Sequence, residues 1–417
     1  MAVEASRRAI YAPKICELTL QAVFSHPNLD LNFQLLRILR FTDFPGPQDT
    51  NLSQYLQPAL EEVHLRHWPP AVFLHGLNKH CPRLRVLSQV STAYKDKSDI
   101  IDFFASNQSL RCVQFTILPL NEDEVLAAML ALSKIHSLEE LIIVGETSTD
   151  TLTQLQVLHP SSSKYSFGSV RKVKLTVRIP SLQLLPTIFG AMTTLSLELP
   201  IQSNDHELDA LVGLPLESLQ LHIAAGVTLS PQQLLFLRIT ETLRSLIIKP
   251  RPFNPMATMA TFGLSNADFK HLFAKFSNLE TLLIWFALEI PDPDVAFQDL
   301  GQSCPRLENL RLYCYIDLTA WCDTPNPLFP NLKFAWVSSV SSQSFLGKTN
   351  ETTAQLLAEI LDRHAPQLDR FVALKRYNFR PTDCDQLSQM VMRAHGRIKE
   401  IGQTRHAKDE SRGMAIR

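Results

Sequence analysis

The amino-acid sequence predicts an α/β solenoid, a chain of short strands and helical returns stacked unit upon unit. Three observations lead there: a leucine pattern recurring along almost the whole chain, a spacing of roughly 27 residues between copies, and amphipathic segments between them. At 417 residues the chain exceeds what a single compact core usually reaches. Either several domains or a repeat is required, and periodicity decides for the repeat.

The pattern is LxxLxL. Clear copies are Leu36/Leu39/Phe41, Leu60/Val63/Leu65, Leu110/Val113/Phe115, Leu138/Leu141/Ile143, Val170/Val173/Leu175, Leu216/Leu219/Leu221, Leu243/Leu246/Ile248, Leu279/Leu282/Ile284 and Leu307/Leu310/Leu312. Weaker copies start at Ile15, Leu84, Met192, Leu332, Leu368 and Ile398, which makes about fifteen units. Alternation with period two gives each copy a short strand with one buried face. The remainder of each unit returns the chain, and several returns read as helices. Asn121 and Glu124 form a capping box ahead of Val125–Leu130, Ser230 precedes Pro231, and Ser265 precedes Asp268, Phe269, Leu272 and Phe273. Further amphipathic returns run over Asp99–Ala105, Ser181–Phe189, Asp205–Leu211, Thr352–Arg363 and Cys384–Ala394.

Units of this length and pattern are leucine-rich repeats. Stacked, they predict a right-handed curved superhelix with a parallel concave sheet and helices on the convex face. The expected organisation is a lead-in or partial cap over 1–14, the repeat domain over 15–402 and a polar tail over 403–417. A solenoid needs its terminal cores covered. At the start, Arg7, Arg8, Ile10, Tyr11 and Pro13 could fold over the first strand, or another domain or partner could do so.

Composition narrows the function classes. Lys+Arg 40 against Asp+Glu 41 leaves a net charge of -1, so the basic footprint of a nucleic-acid binder is missing. No apolar run is long enough to cross a bilayer and the start carries no secretory signal, so a cytoplasmic or nuclear monomer is expected. The 7 cysteines are odd in number and form no CxxC pair, which suits reduced, mostly buried thiols.

The openings of several units, Cys81-Pro82-Arg83-Leu84 and Cys304-Pro305-Arg306-Leu307, with looser versions at His26-Pro27-Asn28-Leu29, Phe329-Pro330-Asn331-Leu332 and Ala365-Pro366-Gln367-Leu368, carry a family likeness. In them the chain resembles the fungal F-box and leucine-rich-repeat proteins, from about Ile15 onward. The resemblance implies a substrate receptor of a cullin-based ubiquitin ligase, docked through its F-box to the ligase adaptor. Only fourteen residues precede Ile15, too few for an F-box, so the adaptor is an expected partner only if that module is supplied upstream.

Residues between the leucines point out of the core and draw the concave wall. Leu283 and Trp285, then Arg311, Tyr313 and Tyr315, then Phe334 and Trp336, come from three successive units and should form one patch of aromatics and arginine, the residues that dominate binding hot spots. A loop over 249–263 or 338–350 could instead cover it. A second candidate is Lys172 and Lys174 beside Arg171 and Arg178, suited to an acidic or phosphorylated partner. Arg40, Glu62, His64 and Arg66 place mixed charge on the same wall.

Catalytic patterns are missing: there is no GxSxG, GxGxxG, P-loop, HExxH or EF-hand loop. His64 and His67 share a strand with no evident acidic partner, and Cys314 and Cys322 flank a loop with Asp317 and Asp323 without a nearby histidine. No cofactor or metal is expected. The function that follows is protein binding on the concave face, as a substrate receptor or adaptor. The alternatives are a scaffold or enzyme regulator independent of any F-box, and an enzyme whose site is assembled across repeats.

Overall fold

A computed structural model describes residues 10–20, 33–42, 52–66, 71–89, 98–118, 120–158, 166–199, 207–224, 241–251, 261–316, 318–322, 324, 327–340, 350–373 and 389–399. The chain divides into two compact units, Met1–Pro200 and Ile201–Arg417. Of the sequence expectations, the 403–417 tail, Ser230-Pro231, His26-Pro27-Asn28-Leu29, Arg7, Arg8, His67, Asp317, Asp323 and Cys384 lie outside the described residues.

The first unit holds eight strands: β1 (Glu17–Leu20), β2 (Ile38–Phe41), β3 (Glu62–Leu65), β4 (Val86–Gln89), β5 (Cys112–Thr116), β6 (Glu140–Thr147), β7 (Lys172–Val177) and β8 (Thr194–Leu199). They pair in chain order and all in parallel. The second unit holds β9 (Ser218–Ala224), β10 (Ser245–Arg251), β11 (Thr261–Gly263), β12 (Thr281–Glu289), β13 (Asn309–Ile316), β14 (Phe334–Val340) and β15 (Arg370–Ala373). Here β9, β10, β12, β13, β14 and β15 pair in that order, again in parallel, and β11 adds to the far end of β12. Each strand but β11 begins two residues after the first apolar position of a repeat. Parallel strands joined by helical returns make the chain an α/β leucine-rich-repeat solenoid.

Two departures concern the repeat count and an expected loop. Ile398 lies in a helical segment, 389–399, and opens no strand among the described residues. The stretch expected as a loop before the aromatic patch instead carries the end of β10 and the whole of β11.

Register comes from a recurring hydrogen-bond device. The carbonyl of the residue after each first leucine accepts two backbone N–H groups from the next unit. Arg37 takes those of Glu61 and Glu62, Glu61 those of Arg85 and Val86, Arg85 those of Arg111 and Cys112, and Arg111 those of Glu139 and Glu140. In the second unit Arg244, Glu280, Glu308 and Lys333 do the same. Side chains reinforce it from the position before the first leucine: Ser109 donates to the Leu84 carbonyl at 2.8 Å, Ser137 to Leu110 at 2.7 Å, Thr242 to Leu216 at 2.7 Å and Asn331 to Pro305 at 2.9 Å. The middle leucines therefore stack in one row, Leu219, Leu246, Leu282, Leu310, Ala335 and Phe371 in the second unit.

The Cys-Pro-Arg-Leu openings belong to the same device. Leu84 and Leu307 close tight turns onto the carbonyls of Cys81 and Cys304 at 3.1 Å, with proline pre-set at the second turn position and the cysteine buried. Phe329 and Ala365 head identical turns closed by Leu332 and Leu368.

The helical returns are α1 (Ala71–His80), α2 (Ser98–Ser106), α3 (Glu122–Ser133), α4 (Thr149–Leu158) and α5 (Leu185–Ile188) in the first unit, and α6 (Asn266–Phe273), α7 (Pro293–Ser303) and α8 (Asn350–His364) in the second. The expected capping box forms at Asn121 with Glu124, and Ser265, expected as a helix start, makes a second box with Asp268. Helix α7 was not foreseen although Asp292 caps it with Pro293 at its first position. Ser181–Phe189 is divided between the end of a 3-10 turn, Ile179–Leu184, and the single turn α5, and the described part of Asp205–Leu211 is a 3-10 turn, Glu207–Leu211. In the first of these, Pro186 removes an N–H that a continuous α-helix from Ser181 would need.

Between strands and returns the core is filled by leucine and phenylalanine. Phe104 meets Phe115, Phe167 stacks on Phe189 with centroids 5.0 Å apart, and Trp321 packs between Phe297 and Phe329. The start is less covered: Ile10 is 61% and Tyr11 56% exposed, while Ala12 is buried. In α7 the helix approaches the segment before β14 so closely that a Cβ on Gly301 would stand 2.7 Å from the Leu328 carbonyl oxygen.

Backbone cannot retreat from such a contact at low cost, so Gly301→Ala should destabilise the chain by about 1–3 kcal/mol. Gly168, with nothing near its missing Cβ, should tolerate alanine with little change. Urea unfolding of the two variants beside the wild type checks the contrast.

Candidate functional site

On β12, β13 and β14 the outward side chains fall in rows set by register. Ile247, Leu283, Arg311, Trp336 and Val372 are successive Cα partners, as are Thr281, Asn309, Phe334 and Arg370. Beyond these rows the ladder is irregular. Ile284 pairs with Leu312 but Ala287 pairs with Tyr313, so Trp285 and Phe286 are extra residues in β12; a further shift follows Leu312 in β13. Bulges re-aim side chains. Phe286 turns into the core, where it is buried, and Trp285 stays on the outward face.

The rings then converge. Tyr313 lies 4.2 Å from Trp336 and 5.5 Å from Trp285 between centroids, and the two indoles are 5.8 Å apart. The Arg311 guanidinium stands over Phe334 at 4.6 Å and within 5.9 Å of Trp285; Arg370 reaches the same Phe334 ring at 5.8 Å. Leu283, Trp285, Arg311, Phe334 and Trp336 are all half-buried. The sequence expectation of one contiguous group is thus met in geometry, with a correction for Tyr313. It belongs to no open wall: only 6% of it is exposed, because two indoles cover it. Burial pushes its phenol up to about 12, against a smaller opposing pull from Arg311. Arg370 escaped sequence reasoning, although its place two residues after Leu368 marks it as outward. The side chain of Tyr315 and residues 341–349 lie outside what is described.

The basic candidate in the first unit differs from expectation. Lys172 stands 4.0 Å from Glu140 and Lys174 3.8 Å from Glu198, both on adjoining strands. Arg178 bonds Glu146, and Arg171 donates to the Ala191 carbonyl at 2.9 Å. Positive charge expected to await an acidic partner is met within the chain. The same holds for Arg40 with Glu17, and His64 does have an acidic neighbour, Glu62, at 3.3 Å.

Other chemistry is sparse. Cys81, Cys304 and Cys314 are buried and Cys112 half-buried, and burial raises all four thiols, the first two and Cys112 to about 12. Cys16 and Cys322 are exposed, so the cysteines are less uniformly buried than expected. Among the described residues no three His, Cys, Asp or Glu side chains gather as a metal site, and no helix is long and apolar enough to cross a membrane. In the last helical segment His395 is 1% exposed, with Asp362 at 3.6 Å. Burial, helped by Lys399, lowers its pKa from 6.5 more than Asp362 and Asp369 raise it.

No protein-family model matches the chain, and no curated protein matches it in sequence. Among solved structures it is similar to a chain of the Rad7 and Elc1 complex in yeast, at 14% identity and a TM-score of 0.44, over 79% of this chain and 81% of that one. It is also similar to the plant peptide hormone receptor RGFR1 in complex with RGF2, at 11% identity and TM-score 0.28, covering 68% of this chain and 56% of that one. A third is the TLR13–ssRNA13 complex, at 16% identity and TM-score 0.31, covering 78% and 42%.

Two solution tests follow. At pH 8 iodoacetamide should label Cys16 and Cys322 in the folded chain and leave Cys81, Cys112, Cys304 and Cys314 unmodified until denaturant is added, as read by peptide mass spectrometry. Burial and Lys399 favour the neutral form of His395 in the folded chain, so the unfolded chain binds its proton more readily. Stability from this site is therefore present above about pH 6.5 and lost as pH falls through 6.5 toward the lowered folded value. Urea midpoints from pH 7.5 to 5 should fall more steeply for the wild type than for His395→Gln.

Proposed function

We propose that the chain is a protein-interaction module, acting as a monomer without a cofactor, whose ligand docks on the outward face of β12, β13 and β14. The observation that supports this reading best is the Trp285, Tyr313 and Trp336 cluster with Arg311 beside it. Trp, Tyr and Arg are the residues most enriched where truncation costs binding energy, and rigid rings offer large contact area at small entropic cost. Two indoles held by a buried tyrosine are already ordered, so a ligand meets a preorganised surface. Lys172 and Lys174 are left out because Glu140 and Glu198 already engage them.

A narrower reading, a receptor subunit of a cullin-based ubiquitin ligase, rests on the resemblance at the Cys-Pro-Arg-Leu openings. Those openings do a structural job as turns, so they speak for the scaffold first. Recovery of a cullin adaptor with the full chain would favour this reading, and its absence beside a captured substrate would favour a free-standing adaptor.

The double variant Trp285→Ala/Trp336→Ala should lose the partners that affinity capture and mass spectrometry recover with the wild type. Tyr313 loses both neighbours in that variant. Each lost ring contact costs about 0.5–1.5 kcal/mol, so the protein should melt earlier yet still cooperatively. Unchanged recovery of partners by a folded double variant would overturn the proposal.

A further inference from the structure

We infer that the segment bound by this face is acidic, presenting carboxylates to Arg311 and Arg370 on either side of an apolar or aromatic residue laid against Trp285 and Trp336. The inference rests on the reading of the face as a protein-binding surface and adds the chemistry of its ligand.

Charge bookkeeping on the strands of each unit carries it. In the first unit the outward cations have carboxylates of their own: Arg40 with Glu17, Lys172 with Glu140 and Lys174 with Glu198. In the second unit the outward cationic side chains among the described residues are Lys249, Arg311 and Arg370, and none makes an ion pair among the described residues. None of the described outward side chains of β9, β10, β12, β13, β14 and β15 is a carboxylate. Glu280 and Glu308 sit on the rim, bound to Arg244 and Lys333, and Asp369 acts on His395.

Two guanidinium groups therefore stand within 6 Å of the same Phe334 ring, and no carboxylate among the described residues pairs with either. A ring holds a guanidinium in place while leaving donors able to take a carboxylate in fork geometry. An incoming acid would relieve the like-charge pair and meet donors that have lost little freedom. A single-stranded nucleic acid also uses rings and cations. It fits less well here: the row through Arg311 is otherwise Ile247, Leu283, Trp336 and Val372, which offers no track of cations for successive phosphates.

The test selects dodecapeptides from a random phage library on the full chain and measures synthesised peptides by fluorescence anisotropy. The selected peptides should be enriched in Asp or Glu beside an apolar residue. Affinity should fall at least tenfold for Arg311→Gln/Arg370→Gln, fall as salt rises, and stay unchanged for Lys172→Gln/Lys174→Gln. Peptides with Gln or Asn in place of the acids should lose the same factor and be indifferent to the arginine variant. Neutral or basic peptides that depend on Trp336 but not on the arginines would overturn the acidic assignment and leave the binding surface standing. Displacement of the peptide by a twelve-nucleotide oligouridylate that binds more tightly, with the same dependence on Arg311 and Trp336, would overturn the choice of a protein ligand. No enrichment over a protein-free control, or binding indifferent to a folded Trp336→Ala, would overturn the surface itself.

Discussion

At the start of each strand, one carbonyl accepts two N–H groups from the unit that follows. That bifurcated contact ties the residue after one first leucine to the corresponding residues of the next, from Arg37 to Glu61 to Arg85 and onward. A shift of one residue would break both bonds and turn every leucine of the strand outward. Register is therefore held at its beginning by hydrogen bonds and along its length by burial. The residue supplying the carbonyl has its side chain at the rim, and among the described residues that position is charged in Arg37, Glu61, Arg85, Arg111, Glu139 and Arg171, then Glu217, Arg244, Glu280, Glu308 and Lys333, with Cys16 as the uncharged case. Neighbours pair where signs allow, as Arg244 with Glu280 at 3.1 Å, but exposed pairs of this kind are worth little. Their main effect is to keep a long row of rim positions in water.

Once register holds, the outward face is a set of rows, and the chemistry of a row is the sum of its units. In the first unit acids and bases alternate across strands and satisfy one another. In the second, β12 carries two additional residues and β13 a further irregularity, just where the aromatic residues lie. The bulges make room for Tyr313 to sink between two indoles and leave Trp285, Trp336 and Phe334 in partial contact with water. A surface of large rings with arginines that make no ion pair among the described residues is costly to leave bare and inexpensive to cover with a matching ligand, which is the physical ground for reading it as a docking face.

Much of this was legible because the leucine period has a direct structural meaning. Which residues face out on β12, β13 and β14 follows from alternation alone, and the grouping of Trp285, Arg311, Phe334 and Trp336 needed only that the strands be parallel neighbours. What alternation cannot give is depth. The burial of Tyr313 depends on extra residues in β12, whose pairing partners are known only once the strands are aligned. The neutralisation of Lys172 and Lys174 likewise needs Glu140 and Glu198 to be placed across the ladder, thirty-odd and twenty-odd residues away in sequence. Other differences were of weighting: Asp292-Pro293 is a sound helix start, Pro186 argues against one continuous helix over Ser181–Phe189, and Ile398 kept its hydrophobic spacing inside a helix because periods of three and four residues resemble the spacing of LxxL.

The central claim is that parallel register gathers residues from three successive units into one ordered aromatic cluster. Selective labelling of tryptophan and tyrosine rings in the full chain, with nuclear Overhauser spectra assigned through Tyr313→Phe and Trp336→Phe, tests it most directly. The account predicts cross-peaks from the Tyr313 ring to both indoles, strongest to Trp336 at a centroid distance of 4.2 Å. A Tyr313 ring with the shifts of an exposed tyrosine and no contact to either indole would contradict it.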